Sequence, residues 1–113
     1  MIRPAAALLL LGMLPAVAEP LIFPRDARAH VGRQATVRGT VQRVQHSGKI
    51  IYLYLEGHNR RDAFLVRLEP QAQLDFPDVD TYVGRTLDVT GLVQRDGGAP
   101  AIAVLAQRQL MVK

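Results

Sequence analysis

The amino-acid sequence predicts an all-β domain: a small five-stranded Greek-key barrel with a short helix between strands three and four and a short N-terminal helical turn. Three observations point there. Apolar residues recur at every second position in five short segments, the period of a half-buried strand. A Val-Gly-basic turn leading into an apolar-x-apolar-x-Gly strand occurs twice, over residues 31–39 and 83–91. No low-complexity tract, internal repeat or linker interrupts the run, so one continuous core accounts for the spacing.

The elements follow in order. Residues 23–31 open with Pro24 and carry Asp26 in the first turn, which suits a short helical turn that ends at Gly32 and closes one end of the barrel. Strand one, residues 35–44, alternates Val37, Gly39 and Val41 with Arg38, Thr40 and Gln42. Gly39 falls on the apolar side, where a missing side chain permits a sharp bend or the close approach of a neighbour. Residues 45–49 read as a polar turn, with Gly48 free to take positive φ. Strand two, residues 50–56, points Ile51, Leu53 and Leu55 inward and Tyr52 and Tyr54 outward. After a polar loop over residues 57–62, strand three alternates Phe64, Val66 and Leu68 with Leu65 and Arg67. Pro70 starts a short helix that Pro77 stops, and Leu74 and Phe76 are expected to plug the barrel mouth. Strand four, residues 86–94, repeats the pattern of strand one with Leu87, Val89 and Gly91. Asp96-Gly97-Gly98 turns into strand five, residues 100–106, and Leu110 and Val112 extend or re-pair it. The edge between strands three and five is expected to be partly open, bridged by the short helix.

The 113 residues include no cysteine, which excludes disulfides, a lipid-modified cysteine and thiolate metal sites. Residues 1–18 read as a cleaved signal peptide: Arg3 supplies the positive start, residues 5–14 the apolar stretch and Ala16-Val17-Ala18 the cleavage site. The 15 uncharged residues from Pro4 to Ala18 fall short of the roughly 20 that a membrane-spanning helix needs. Residues 19–113 then form one exported domain, periplasmic or extracellular. Setting Arg3 aside leaves 13 of the 14 basic residues against 10 acidic ones, a mildly basic balance compatible with a polyanionic partner.

The stretches over residues 26–33, 36–41, 51–55, 82–91 and 98–102 together resemble the exported OB-fold modules of bacteria. The resemblance covers nearly all of residues 24–113 and implies an OB barrel of the nucleic-acid-binding type. The doubled Gly pattern reports barrel mechanics rather than a ligand. Tyr54, where such sequences often carry a small polar residue, and Arg67, in place of an apolar one, depart from the pattern on the same outward face.

In such a barrel extended ligands lie across strands two and three. The expected interface therefore comprises the outward Arg38, Gln42, Tyr52, Tyr54 and Arg67, with Arg43 and Lys49 beside the first loop, Arg60 and Arg61 in the second and Arg95 in the fourth. Two tyrosines at i, i+2 among arginines suit base stacking with phosphate tracking. The expected partner is single-stranded nucleic acid or another extended polyanion. The alternative is an envelope structural or protein-interaction module, or a small-ligand-binding OB domain. His30, His46, His58 and Asp62 match no standard metal spacing, and Ser47, Glu56, Asp62, Glu69 and Asp75 form no nucleophile or acid-base set. No cofactor, metal or catalytic activity is expected.

Overall fold

Period-two patterning becomes eight strands in the computed structural model, which describes residues 19–113; the expected signal segment, residues 1–18, lies outside the described residues. The strands are β1 (Leu21–Ile22), β2 (Gln34–Ser47), β3 (Ile50–Leu55), β4 (Phe64–Leu68), β5 (Thr86–Leu92), β6 (Gln94–Asp96), β7 (Ala99–Val104) and β8 (Leu110–Val112). One turn of α-helix, α1 (Pro70–Gln73), follows β4, and 3-10 turns occupy Pro24–His30, Val79–Tyr82 and Gln107–Gln109.

The five expected strands correspond to β2, β3, β4, β5 and β7. The three additional ones are two or three residues long. The order is β6-β7-β4-β3-β2-β5-β8 with β1 beside β2, and this backbone ladder does not close on itself as expected. β4 and β7 pair in parallel from Leu65 with Ala101 to Leu68 with Val104, so strands three and five leave no open edge for the helix to bridge. The opening falls elsewhere, between β5 and β7. Strand four breaks at Val93, whose backbone turns aside to bond Gly32 and Arg33, and the chain resumes as β6 in a hairpin with β7.

β2 spans both halves of the sheet, pairing with β5 through Gln34–Thr40 and with β3 from Val41 onward. A register shift between Val41 and Arg43 inserts one residue and reverses the alternation, so Val44 faces inward beside Leu53 while Arg43 and Gln45 stand beside Tyr54 and Tyr52. Glu56 seals the bend. In the left-handed region at φ 61°, it donates its backbone N–H to the Thr40 carbonyl at 2.9 Å and accepts the Thr40 N–H on its carboxylate at 2.8 Å. The ladder runs on through Ser47, so the first turn shrinks to Gly48-Lys49.

Val37, Val41, Leu53, Leu55, Phe64, Val66, Leu68, Leu87, Val89, Ile102 and Val104 fill the interior. A Cβ on Gly39 would sit 2.9 Å from Pro24 Cγ and 3.1 Å from Leu55 Cβ, which is how the Pro24–His30 turn closes one end. Phe76, Val79 and Tyr82 close the other. Leu74 does not join them: α1 ends after one turn and leaves it 91% exposed, against the expected plug.

Candidate functional site

Tyr52 and Tyr54 on β3, Leu65 and Arg67 on β4, and Ala101 and Ala103 on β7 share the outer side of the sheet, because the registers set Tyr52 beside Arg67, Tyr54 beside Leu65 and these beside Ala103 and Ala101. The tyrosines thus face away from the main core as the alternation predicts. They are not, however, available to solvent: Tyr52 is 6% and Tyr54 3% exposed, within a second apolar cluster that includes Ala63, Leu65, Ala99 and Ala101. The cause is a cover of arginines. Arg43 lies 4.9 Å above the Tyr54 ring, Arg60 4.9 Å above the Tyr52 ring, and Arg67 reaches the latter at 6.0 Å. The expected pair of open stacking platforms is therefore corrected to a pair of buried rings beneath guanidinium groups.

A polar network fixes that cover. Tyr52 Oη donates to Asp96 at 2.9 Å and accepts from Arg67 Nη1 at 3.1 Å, while the same nitrogen reaches Asp96 at 3.2 Å. Arg67 Nε is held by Glu69. Arg60 Nη1 donates to the Asp96 carbonyl at 2.9 Å and its carboxylate at 3.2 Å, tying the β3–β4 loop to the β6–β7 hairpin. Tyr54 Oη donates to Gln45 at 2.6 Å, and Arg43 to the His58 carbonyl at 3.0 Å. Burial opposes the Asp96 charge, but the hydrogen bonds from Tyr52 and Arg67 and the charge of Arg60 outweigh it and hold the carboxyl below its usual range. The Glu69 hydrogen bond, working against desolvation, raises Arg67. Desolvation likewise opposes the charge of Arg60, and interactions with Tyr52 and Asp96 overcome it.

The other expected site residues divide. Arg61 and Arg95 are exposed on the loop and hairpin that frame this face. Arg38 is not part of it: it is opposite Asp88 on the β2–β5 half, paired at 2.7 and 2.9 Å, and hydrogen bonding to Arg38 depresses the Asp88 carboxyl against its burial. Lys49 sits in the β2–β3 turn, next to Ile50 and so at the opposite end of β3 from the β3–β4 loop. Gln42 falls at the bulge and is half-buried. Sequence reasoning missed Arg28, which bonds the Gly98 carbonyl at 3.2 Å and the Arg61 carbonyl at 3.4 Å, and it missed Asp96 and Glu69 as anchors. Long-range pairing brings Arg28 and Asp96 to the face, whereas Glu69 is two residues from Arg67 and its position on the same side was available from the alternation.

Beside the arginine cover a depression of about 340 Å³ opens over β7, lined by Arg67, Glu69, Gln94, Arg95, Asp96, Gly97, Ala101 and Ala103. Among the described residues no group of three or more His, Asp or Glu side chains is placed to hold a metal, and His46 instead pairs with Asp80 at 2.8 Å. No helix among them is long and apolar enough to cross a membrane.

No protein-family model matches the chain, and no curated protein matches its sequence. Solved structures do. OBody AM1L10 bound to hen egg-white lysozyme superimposes with a TM-score of 0.62 at 13% identity, over 88% of this chain and 96% of that one. Asparaginyl-tRNA synthetase from Pyrococcus horikoshii gives 0.60 at 16% identity, over 80% of this chain and 22% of the enzyme. A putative aspartyl-tRNA synthetase from Leishmania major Friedlin gives 0.58 at 13% identity, over 97% and 26%. The chain thus spans about a quarter or less of the synthetases' length. Likeness at these identities concerns the fold alone, and the fold is OB-like.

Proposed function

We propose that the protein is a non-enzymatic binding module that holds an extended polyanion, foremost single-stranded nucleic acid, against the arginine-covered face of β3, β4 and β7. The carrying observation is the seating of Arg43 and Arg60 over Tyr54 and Tyr52. Arg43 is exposed and, among the described residues, hydrogen-bonded through Nη1 to the His58 carbonyl, which leaves N–H groups for an anion, whereas Arg60 is engaged by Asp96 and Tyr52 and presents mainly its charge. Planar cations held over buried rings need little further ordering to meet phosphates, so the tyrosines act as supports for charge and not as stacking surfaces. Arg28 and Arg61 extend the basic strip along the same loops. Two fold neighbours are named for tRNA, which accords with this reading.

Export to the periplasm or beyond belongs to the same proposal, with the nucleic acid then being strands taken up, released or scavenged. A protein partner in the envelope is the second reading, favoured by one observation: a fold neighbour of matching length, OBody AM1L10, is bound to a protein. Fluorescence anisotropy with a labelled single strand tests the first reading, which expects binding at low salt and steep loss as salt rises. No binding at low salt contradicts it. A partner captured equally with and without nuclease supports the second.

A further inference from the structure

Both expected stacking rings are covered, and the exposed aromatic surface of the molecule lies elsewhere. The sequence holds three tyrosines, three phenylalanines and no tryptophan. Tyr52, Tyr54, Tyr82, Phe64 and Phe76 are each 6% exposed or less, whereas Phe23 is 39% exposed and belongs to neither apolar cluster. Its outward direction follows from β1, where Ile22 is buried beside Val37 and alternation turns Leu21 and Phe23 away from the core. The backbone is fixed there, because the Phe23 carbonyl accepts the Asp26 N–H at 2.8 Å as the Pro24–His30 turn begins. Arg25 holds its guanidinium 5.3 Å from the centre of the ring. The pair borders a depression of about 300 Å³ whose other lining residues are Pro24 and Glu56. Arg25 and Glu56 balance in charge, so the ring rather than net charge distinguishes this place. It also adjoins the basic strip. Glu56 leads into the β3–β4 loop, where the His58 carbonyl holds Arg43, and Arg28, from the same turn as Arg25, bonds the Arg61 carbonyl of that loop at 3.4 Å.

We infer that Phe23 is the stacking platform of the module: one nucleobase of a single strand held on the arginine face turns past the β3–β4 loop and lies against the exposed Phe23 ring, with Arg25 alongside. The platform rests on the proposed polyanion reading. It adds a contact with a base, which the charge of Arg43, Arg60 and Arg61 alone would not create and which the buried tyrosines cannot make. Every base has a π-face, so the platform responds to the presence of a base and not to its identity.

The test compares a labelled oligothymidylate, an oligodeoxycytidylate and an abasic strand of equal length at fixed low salt. Both base-bearing strands are expected to bind about tenfold more tightly than the abasic strand. Phe23→Leu, which keeps apolar bulk and removes the plane, is expected to bring both to within about twofold of the abasic strand while leaving abasic binding in place. Phe23→Tyr, which keeps the plane, is expected to preserve the difference. The ring lies outside both apolar clusters, so these variants leave the core intact. Because the chain has no tryptophan, Phe23→Trp puts a single indole at the platform, and its emission is expected to be quenched by either base-bearing strand and unchanged by the abasic one. Equal affinity for base-bearing and abasic strands in the unmodified protein, an undiminished difference in Phe23→Leu, or emission of Phe23→Trp that ignores the bases overturns the platform while the polyanion reading stands. Failure of every strand to bind overturns both.

Discussion

Tyr54 carries two roles that a single side chain rarely combines on an outer sheet face: its ring is buried under Arg43 and its hydroxyl is tied to Gln45. Tyr54→Ala is expected to cost about 3–5 kcal/mol of stability, measured by urea unfolding, as large-to-small changes of buried aromatics do. Tyr54→Phe loses only the hydrogen bond and is expected to cost about 0.5–1.5 kcal/mol. A collapse in affinity after Tyr54→Ala therefore reports on folding before it reports on ligand contact. Asp96 plays the corresponding part for Tyr52, Arg60 and Arg67. Its carboxyl titrates below the ordinary aspartate value of 3.8, so the stability it contributes is fully present above that value and is lost as pH falls through the lowered one. Thermal melting from neutral pH down to the acid range is expected to show that loss in the unmodified protein and a smaller one in Asp96→Asn. The outward direction of the tyrosine rings was legible in the sequence from alternation alone. Their burial was not, because the arginine cover over Tyr52 is fixed by Asp96, 44 residues along the chain, which meets Tyr52, Arg60 and Arg67 only after β4 pairs with β7.

Among the elements, β2 shows most clearly what local pattern reveals and what it hides. Gly39 was legible as a point of close approach, and Pro24 and Leu55 occupy the space its side chain would need. Gly91, the matching position in β5, has Ile102 Cγ2 at 2.8 Å from where a Cβ would be. Gly39→Ala is expected to destabilise by about 1–3 kcal/mol, since Pro24 must shift and reopen the end it closes; an unchanged urea midpoint would contradict the close packing. The bulge after Val41 was not legible, because one inserted residue reverses the alternation without leaving a mark in composition. That reversal decides the site: it places Arg43 over Tyr54 and leaves Arg38 with Asp88 on another part of the surface. Lys49 lies in the first turn as expected, but that turn, reduced to Gly48-Lys49, is at the end of β3 opposite the β3–β4 loop.

At the scale of the whole molecule, an open ladder is joined across β5 and β7 by one side chain. The Gln109 carboxamide donates to the Thr90 carbonyl at 3.0 Å and the Ala103 carbonyl at 2.9 Å, and accepts the Leu105 and Ala106 N–H groups at 2.8 and 3.1 Å. No pattern in the sequence marks Gln109, because its bonds are to backbone groups of strands that only the completed fold brings near. Gln109→Ala is expected to cost about 1–3 kcal/mol and to raise hydrogen exchange at Leu105 and Ala106 before the rest of the sheet. The same closure holds β7 in place beside the arginine cover, so fold and interface share one support. The proposal turns on whether that cover meets a polyanion. Its most direct measurement is the slope of log affinity against log salt for a single strand, in the unmodified protein and in Arg43→Ala/Arg60→Ala. Loss of two phosphate contacts is expected to flatten the slope by about 1.4 and weaken binding at low salt; an identical slope in the two proteins would contradict the account.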